Sequence, residues 1–334
     1  MNTIINRHKR PSVTCFDAGS EYCPCALAAL GECVACSRLR GEEACVCGWS
    51  GLCVYQEFLR NQAVPKPGRP EVKASIGRRK DLVLPGDATP RAFILELHLA
   101  DEIARWCSFP GSFVLVRPPG TRERFNVPVS VMDVRDGQVT LAVEVLGPKT
   151  RALEEWSLEG AELLVVAPFW SGLHGFRDLQ RYSAGNVLVI AKGMGQVAVP
   201  QLARHINHRG GSLKVLLGPG QLGVVFIEEM LEPLPADVEI LPKEVDHNLG
   251  RVAQELAGTK YDLVVSAGPD IQHRALKGIL DRLEDLTGER PGFTWMSNLT
   301  MTCAEGICGS CLVSGLRGCK AQVTLQDYLG EDLP

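Results

Sequence analysis

The pattern of apolar and polar positions changes its period part-way along the chain. From residue 71 to about 168, short runs rich in β-branched residues are separated by turn signals, which predicts strands. The tetrapeptide RDGQ predicts a hairpin turn, with Gly137 where a positive φ is needed. Several short strands in succession favour a small antiparallel β-barrel, followed by a short helix at TRALEEWSLEG. The predicted strands are EVKASI, AFILELHL, SFVLVRP, VPVSVMDV and QVTLAVEVL.

From residue 186 the pattern becomes strand, glycine-rich loop and helix. This alternation predicts βαβ units and a parallel sheet, with ligands at the carboxyl ends of the strands. The predicted units are NVLVIA, KGMG and QVAVPQLARHINHR; SLKVLLG, PGQ and GVVFIEEML; and YDLVVS, AGP and DIQHRALKGILDRLEDL.

The first 62 residues are rich in cysteine and glycine and have too few large apolar side chains for a core of their own. Such a segment needs an inorganic group to hold a fold. The proline-rich, basic stretch NQAVPKPGRP follows it and indicates a boundary. The predicted fold class is therefore multidomain, α/β and β. Its predicted parts are a cysteine-rich segment at 1–62, an antiparallel β-barrel at 63–170, a Rossmann-like parallel-sheet domain at 171–290 and a small cysteine-containing domain at 291–334.

Composition excludes several classes of function. The 334 residues carry a net charge of -4, which gives no electrostatic footprint for nucleic acid. The longest apolar runs, such as LLVVAP and NVLVIA, are far too short for a membrane span. The start, MNTIINRHKRPSVTC, lacks the apolar core of a secretory signal. We therefore expect a cytoplasmic protein whose thiols stay reduced.

The thirteen cysteines are gathered at the two ends of the chain, which points to metal ligation because core cysteines would be scattered. The exception is Cys107, which we interpret as a small buried hydrophobic residue. Residues 301–319 read MTCAEGICGSCLVSGLRGC, a C-x4-C-x2-C-x7-C pattern typical of plant-type [2Fe–2S] spacing. Zinc sites more often pair two C-x2-C units, so this spacing disfavours zinc. The predicted ligands are Cys303, Cys308, Cys311 and Cys319.

Eight cysteines near the start form C-x7-C-x-C-x7-C-x2-C-x8-C-x-C-x5-C, which matches neither a ferredoxin run nor a zinc ribbon. Eight thiolates suffice for two [4Fe–4S] clusters, for two zinc ions, or for one of each. The absence of histidine between residues 9 and 97 and the Cys-x-Cys pairs favour one or two [4Fe–4S] clusters. The predicted ligands are Cys15, Cys23, Cys25, Cys33, Cys36, Cys45, Cys47 and Cys53.

The order of these features resembles the ferredoxin-reductase-like electron-transfer subunits, such as those of dihydroorotate dehydrogenase and of the NADH-dependent ferredoxin:NADP oxidoreductase. The resemblance covers residues 71–325 and adds a reason to favour iron in the N-terminal segment, since further redox centres would extend a relay. It rests on NVPVSVMDV with EVLGPKT, VLVIAKGMGQVAVP, VVSAGPD and MTCAEGICGSC.

The resemblance implies an FAD site on the barrel. The family's flavin-binding strand motif corresponds to 127–131, where Ser130 is kept but the family's arginine is missing; Arg122 or Arg124 is a substitute. The loop at 147–150 precedes a helix and would receive the pyrophosphate, although a plain strand-to-helix turn has similar residues. The FAD-binding residues implied are Pro128, Val129, Ser130, Gly147, Lys149 and Thr150.

The resemblance also implies a nicotinamide nucleotide site at the carboxyl edge of the sheet. No arginine follows LLG to hold a 2′-phosphate, and ILPKEVDHN replaces the family's acidic loop, so NADP is disfavoured. An NAD(H) site and a degenerate, empty site both remain open. The residues implied are Gly193, Gly195, Gln196, Gly268 and Pro269.

Electron transfer within an oxidoreductase complex is the predicted function, linked to NAD(H) and open to flavin-based electron bifurcation. No histidine, serine or carboxylate constellation indicates acid–base or nucleophilic catalysis, so no catalytic residue is predicted. The expected partner is a flavoprotein subunit, with ferredoxin as a further candidate. One alternative is a non-catalytic scaffold subunit, with a degenerate nucleotide site, that carries electrons between clusters. The other is a redox-sensing or docking module that is held together by structural zinc.

Overall fold

The computed structural model describes residues 15–47, 52–83, 92–242 and 245–330, apart from the side chains of 245–248. The chain divides into two compact units. The first, here called the cysteine unit, combines residues 1–69 with 299–333. The second, the barrel–sheet unit, spans residues 70–298. The predicted division into four domains stays a prediction.

The barrel–sheet unit begins with a closed barrel of six antiparallel strands in the order β1-β2-β5-β4-β3-β6, which confirms the predicted barrel. Asp136 and Gly137 have φ values of 47° and 77°, so the predicted hairpin turn joins β4 to β5. The strands are β1 (Glu71–Leu82), β2 (Ala92–His98), β3 (Phe113–Arg117), β4 (Val127–Arg135), β5 (Gln138–Glu144) and β6 (Glu162–Phe169). Two helices accompany them, α3 (Asp101–Trp106) and α4 (Pro148–Trp156).

The barrel interior is filled by alternate residues of each strand, as the period of two along a strand requires. On β2, for example, Phe93, Leu95 and Leu97 are fully buried in the same hydrophobic cluster. Cys107 lies in this cluster with no exposed surface, and its burial raises the pKa of its thiol to about 12. The prediction that Cys107 is a buried hydrophobic residue is therefore confirmed.

The second part of this unit is a six-stranded sheet in the order β10-β9-β8-β11-β12-β7. Its first five strands are parallel and β7 is an antiparallel edge, which confirms the predicted parallel sheet. The strands are β7 (Leu173–His174), β8 (Asn186–Lys192), β9 (Ser212–Gly218), β10 (Ala236–Ile240), β11 (Leu263–Ala267) and β12 (Gly292–Met296). The helices are α5 (Phe176–Arg181), α6 (Val199–His208), α7 (Glu228–Leu231), α8 (Val245–Gly258) and α9 (Asp270–Thr287).

One predicted helix is mostly absent. GVVFIEEML was expected to be helical, but α7 covers only its last four residues. The preceding residues are held in an irregular path by Gln196, whose amide donates to Val224 O at 3.0 Å and accepts from Phe226 N at 3.0 Å. Val224, Val225 and Phe226 pack against the sheet core instead of forming a helical face.

The barrel and the sheet share contacts within their unit. The Gln201 amide on α6 donates to Cys107 O at 2.8 Å, and Arg204 of the same helix donates to Asp133 of β4 at 2.6 Å. Met132 and Ala142 of the barrel belong to the same hydrophobic cluster as the sheet strands. The barrel is therefore fixed against the face of the sheet that α6 covers.

The cysteine unit has little regular structure. Its two chain segments are joined by a β-bridge between Cys15 and Ala321, with Phe16 N donating to Lys320 O at 2.9 Å. Its described elements are α1 (Ala26–Ala29), α2 (Val54–Arg60), β13 (Leu312–Val313), β14 (Leu316–Arg317) and α10 (Leu325–Leu329). No helix in the described parts of the chain combines the length and apolar character needed to cross a membrane.

Candidate functional site

The four C-terminal cysteines lie on one glycine-rich loop and the hairpin that follows it. Cys303 Sγ accepts the backbone N–H of Cys308 at 3.4 Å, and Cys308 Sγ lies 3.1 Å from Ser310 Oγ. The β13–β14 hairpin joins Cys311 to Cys319, and both of these side chains are buried. Cys308 is exposed at the tip of the loop.

The backbone conformation at position 306 requires glycine. Its φ of +79° lies in the left-handed region, and a Cβ there would come within 2.7 Å of Leu27 Cδ1. Gly309 shares the left-handed conformation with a φ of +75°. These turns direct N–H groups inward, since the backbone N–H of Cys308 donates to sulfur.

Hydrogen bonding favours the thiolate form at two cysteines of this loop, Cys308 and Cys311. Hydrogen bonding with Cys319 lowers the pKa of Cys311 to about 6, and Cys319 has a raised pKa because it keeps the shared proton. Burial opposes ionisation of Cys308, but hydrogen bonds from Ser310 and Cys303 outweigh it and lower its pKa to about 7. Thiolate is the form that binds iron, so the loop fits a [2Fe–2S] cluster.

The N-terminal cysteines lie close together in the cysteine unit, and Cys23, Cys33 and Cys36 share one hydrophobic cluster. All thirteen cysteines of the chain lie in the described residues, and all are free thiols. Cys15, Cys23, Cys25 and Cys33 line one small cavity. Of the others, Cys45 and Cys47 are close together, with their sulfurs 3.5 Å apart.

Burial raises the pKa of three cavity-lining thiols, Cys15, Cys23 and Cys33, and so favours their neutral form. Burial raises the pKa of Cys15 well above its usual value and that of Cys23 to about 11. A metal bound there would have to displace these protons, as metals do on binding thiols. In the described residues, no three His, Cys, Asp or Glu side chains are arranged around a single ion. Thiols around a cavity are ligands of the kind that both iron–sulfur clusters and zinc ions use.

A buried group of four charged side chains joins the two cysteine-bearing segments. Arg69 lies 2.7 Å from Asp17 and 3.1 Å from Glu305, and Lys320 lies 2.6 Å from each of the same two carboxylates. We call these four residues the ion cluster. Lys320 has no exposed surface, and the Arg69 guanidinium also stacks over the Tyr22 ring at 4.4 Å. Each cation contacts both anions, so the cluster is internally neutralised.

The charges in the ion cluster stabilise one another. Burial acts to raise the pKa of Asp17, but the charges of Lys320 and Arg69 outweigh it and hold that pKa below its usual value. Burial acts to lower the pKa of Lys320, but Asp17 and Glu305 outweigh it and raise that pKa. Both groups therefore stay charged at neutral pH. Sequence reasoning missed this cluster because its members are ordinary charged residues far apart in the chain.

These shifts predict a pH dependence. Because the folded pKa of Asp17 is depressed, its stabilisation is present above about pH 4 and is lost as the pH falls through the folded pKa. The difference in unfolding midpoint between the natural chain and Asp17→Asn should therefore stay constant from about pH 5 to about pH 8 and shrink only below about pH 4. Chemical unfolding at several pH values measures it. A difference that already vanishes at pH 6 would contradict the assignment.

The residues implied to bind FAD lie on β4 and at the start of α4. Across the β3–β4 ladder, Pro128, Val129 and Ser130 pair with Leu115, Val114 and Phe113. Val129 is buried, whereas Pro128 is exposed and Ser130 is half-buried. Arg122 and Arg124, the suggested substitutes for the missing arginine, are exposed in the loop before this strand.

The start of α4 is open for a ligand. Thr150 Oγ1 accepts the N–H groups of Leu146 and Gly147 at 2.9 and 3.0 Å, which shapes the turn. Lys149 reaches back to the carbonyl of Asn126 at 3.4 Å, so its charge lies beside the start of β4. Nothing lies within 4 Å of the place where a Cβ on Gly147 would be. A helix N-terminus with a lysine beside an open turn fits a pyrophosphate.

Two buried hydroxyls in the same part of the barrel have no hydrogen-bond partner among the described residues. They are Ser112 Oγ, next to the residue that pairs with Ser130, and Ser171 Oγ, after β6. The chain segments that carry them touch, since Gly172 N donates to Gly111 O at 3.0 Å. Buried hydroxyls are normally hydrogen-bonded, so these two fit a site completed by a polar cofactor.

The implied nucleotide loop lies at the carboxyl edge of the sheet. Gly193 follows β8, and Gly195 lies against the end of β11, where a Cβ would be 2.0 Å from Ala267 O. Gly268 and Pro269 follow β11 directly, so the fold brings these four residues together. Gln196 is fully buried and its amide holds the loop after β9, so its side chain is already engaged.

A cavity of about 150 Å³ lies at this edge, next to Pro269. Its walls are mostly apolar, and its polar side chains are those of Lys192 and Gln272. The Gln272 amide is already engaged, because it donates to Ile190 O at 3.1 Å. Lys192 is therefore the side chain of this cavity that could bind a phosphate through its charge. A larger cavity of about 580 Å³ lies at the amino edge, near Lys260, where parallel sheets do not bind ligands. Lys243 and Glu244 of the replaced acidic loop lie outside the described residues.

No family model matches the chain. It is 24% identical over 229 residues to the electron transfer subunit of dihydroorotate dehydrogenase B (NAD(+)) from Fusobacterium nucleatum, covering 65% of this chain and 82% of that protein. The subunit of the same name from Bacillus caldolyticus is 25% identical over 224 residues, with the same coverage. An uncharacterized protein from Clostridium beijerinckii is 22% identical over 216 residues, which is 61% of this chain and 70% of that one.

Comparison with solved structures identifies proteins that share this fold. The NADH-dependent reduced ferredoxin-NADP oxidoreductase, described in connection with flavin-based electron bifurcation, has a TM-score of 0.54 at 20% identity and covers 77% of this chain and 91% of its own. The chain therefore has the fold of the ferredoxin reductases. A ferredoxin-NADP+ reductase from Plasmodium falciparum has a TM-score of 0.50 at 12% identity and covers 67% and 96%.

The resemblance inferred from the sequence motifs is thereby confirmed. The relatives named above align with 61–65% of the chain, so about a third of it has no counterpart in those alignments.

Proposed function

We propose that this protein is the electron-transfer subunit of an oxidoreductase complex, with FAD in the barrel–sheet unit and iron–sulfur clusters in the cysteine unit. Cys303, Cys308, Cys311 and Cys319 would hold a [2Fe–2S] cluster, and the eight N-terminal cysteines one or two [4Fe–4S] clusters. The observation that carries the proposal is the union of both cysteine sets in one unit, through the Cys15–Ala321 bridge and the ion cluster. Adjacent metal centres are what an electron relay requires.

The barrel residues would bind and orient the flavin. Lys149 and the first turn of α4 would neutralise the pyrophosphate, Ser130 would donate to the flavin, and the buried hydroxyls of Ser112 and Ser171 would gain the partners they lack. When bound, FAD converts between the electron pairs of a nicotinamide nucleotide and the single electrons of iron–sulfur clusters. The protein's contribution is position and electrostatics.

The FAD site gives a direct prediction. Lys149→Met should weaken FAD binding about tenfold, because a hydrogen bond to a charged group contributes roughly 1.5 kcal/mol or more. Flavin titration into the deflavinated chain, followed by fluorescence quenching, measures the change. Lys73→Met is the matched control, since Lys73 is an exposed barrel lysine paired with Glu162. Equal FAD affinities for both variants would remove Lys149 from the site.

A second candidate is a scaffold that carries clusters but does not react with a nucleotide. Its support is the carboxyl edge of the sheet, where the cavity is about 150 Å³, below the roughly 300–1,000 Å³ of typical ligand pockets. The side chains of Gln196 and Gln272 are also engaged within the protein. NADH oxidation with an artificial acceptor separates the two. Turnover by the flavin-loaded chain supports the first candidate, and bound flavin without turnover supports the scaffold.

We infer the partner from the relatives. Two of the relatives named above are electron transfer subunits of dihydroorotate dehydrogenase B, so a separate flavoprotein subunit is the expected partner. A ferredoxin is a further candidate acceptor, and the solved structure described with flavin-based electron bifurcation makes a bifurcating complex the finer hypothesis. Co-purification of the tagged chain from its native cells, without oxygen, identifies the partner.

A further inference from the structure

The four thiols around the N-terminal cavity are brought together by a short helix and a tight return of the chain. Cys25 precedes α1 as its N-cap, and Glu32 N donates to Leu27 O at 2.9 Å beyond the helix. This turn carries Cys33 back to Cys23 and Cys25. Leu27, Val34 and Val54 supply apolar wall between the sulfurs.

Cys25 belongs to this set because it lines the same cavity as Cys15, Cys23 and Cys33. Because all four thiols line the cavity, they surround a common volume. We call them the inner set.

Three of the remaining N-terminal cysteines, Cys36, Cys45 and Cys47, lie on a loop that is closed by hydrogen bonds of Ser37. Ser37 Oγ donates to Ala44 O at 3.1 Å and accepts from Val46 N at 3.0 Å, so the loop closes on the residue after Cys36. This closure folds the loop that carries Cys45 and Cys47 back to the residue after Cys36. Cys53 is the N-cap of α2, whose Val54 and Phe58 pack in one cluster with Cys36, and Cys23 and Cys33 lie in the same cluster. We call Cys36, Cys45, Cys47 and Cys53 the outer set.

We propose that the inner set holds one [4Fe–4S] cluster and the outer set holds a second. This assignment rests on the proposed function for its choice of iron. It divides the cysteines in sequence order, four and then four. The two clusters of bacterial ferredoxins are built differently, since the fourth cysteine of each run ligates the other cluster.

The two sets have different surroundings. The inner set adjoins the C-terminal cysteine loop, because Cys15 pairs with Ala321 and Leu27 packs against Gly306. The outer set reaches solvent on one side: Cys45 is exposed and Val46 is 64% exposed, Cys47 and Cys53 are partly exposed, and Cys36 is buried. The outer cluster is therefore the one that a soluble electron-transfer partner reaches.

Three pairs of Cys→Ala substitutions test the grouping by iron content per chain, on protein purified without oxygen. The natural chain should hold about ten irons. Cys23→Ala with Cys25→Ala should leave about six, and so should Cys45→Ala with Cys47→Ala, because each pair disables one cluster. Cys33→Ala with Cys36→Ala spans the two sets and should leave about two. Cys107→Ala is the control and should keep about ten.

Interleaved ligation gives the opposite pattern and overturns the proposal: a within-set pair leaves about two irons, or the spanning pair leaves about six. Flavin content and the electron paramagnetic resonance signal of the [2Fe–2S] cluster report whether each variant is folded. If the inner pair fails to accumulate, the outer pair and the spanning pair still decide, because sequential grouping requires about six and about two irons from them.

Failure of the proposed function looks different. If the natural chain contains about two zinc ions and about two irons, the iron relay is wrong. The same pairs then test the grouping on zinc, with one ion lost from each within-set pair and both from the spanning pair. Any other distribution of zinc losses overturns the grouping as well.

Discussion

Replacing Lys320 with methionine should destabilise the cysteine unit by about 3–5 kcal/mol, because removing one partner of a buried ion pair leaves an uncompensated charge. Lys320 has no exposed surface and lies 2.6 Å from both Asp17 and Glu305. With methionine in its place, Arg69 alone would face two carboxylates. Because Asp17 and Glu305 come from opposite ends of the chain, the loss should loosen both cysteine segments together.

The measurement is protease susceptibility of the cysteine unit across a urea series, where the midpoint should fall by about 2 M for a slope of roughly 2 kcal/mol per molar. Lys66→Met is the matched control in the same unit. Lys66 pairs with Glu57 at 3.1 Å, but the two side chains are 29% and 45% exposed. An exposed pair contributes about 0–1 kcal/mol, so the control should hardly move. Equal shifts for both variants would refute the structural role of the ion cluster.

Gly195→Ala should cost the barrel–sheet unit about 3 kcal/mol, because the new Cβ has no room. It would lie 2.0 Å from Ala267 O and 2.8 Å from Gly268 N, and both are backbone atoms that cannot rotate away. The loop after β8 must therefore move away from the end of β11. This shift also separates the residues implied to bind a nucleotide, so any NADH oxidation should fall with the stability.

Urea unfolding followed by tryptophan fluorescence measures this loss, since Trp295 lies buried in β12 of the same sheet. Gly250→Ala is the matched control, because Gly250 lies in α8 with nothing within 4 Å of its Cβ position. Alanine is favoured over glycine in a helix by about 1 kcal/mol, so the control should be slightly stabilised. A Gly195→Ala chain as stable as the natural one would show that the loop does not pack on β11.

Most of the barrel and the parallel sheet was predictable because most strands carry their own burial pattern. The runs VLVIA and LVV within NVLVIA and YDLVVS are apolar, as in strands covered on both faces, and the two segments became β8 and β11. The prediction of a helix at GVVFIEEML was mostly wrong because the path of this segment depends on the amide of Gln196, which is distant in sequence. The edge strand β10 was missed because ADVEI is largely exposed and has no strong apolar pattern.

In the candidate site, too, features that are local in sequence were predictable and features that depend on distant residues were not. Spacing alone predicted the C-terminal cysteines as ligands, since the motif is local in sequence, and this stays a prediction. The ion cluster could not be predicted, because Asp17 and Lys320 meet only through the fold. The resemblance indicated the FAD-binding strand and loop but gave no sign of Ser112 and Ser171, whose importance lies in their burial without a partner among the described residues.

The central claim is that the cysteines hold iron–sulfur clusters. The most direct test is to measure the iron and zinc content per chain on protein purified without oxygen. The account predicts about ten irons, from one two-iron and two four-iron clusters, and no stoichiometric zinc. About two irons together with zinc would contradict it. The N-terminal cysteines would then be a structural zinc site, and only the C-terminal cluster and the flavin would be left to carry electrons.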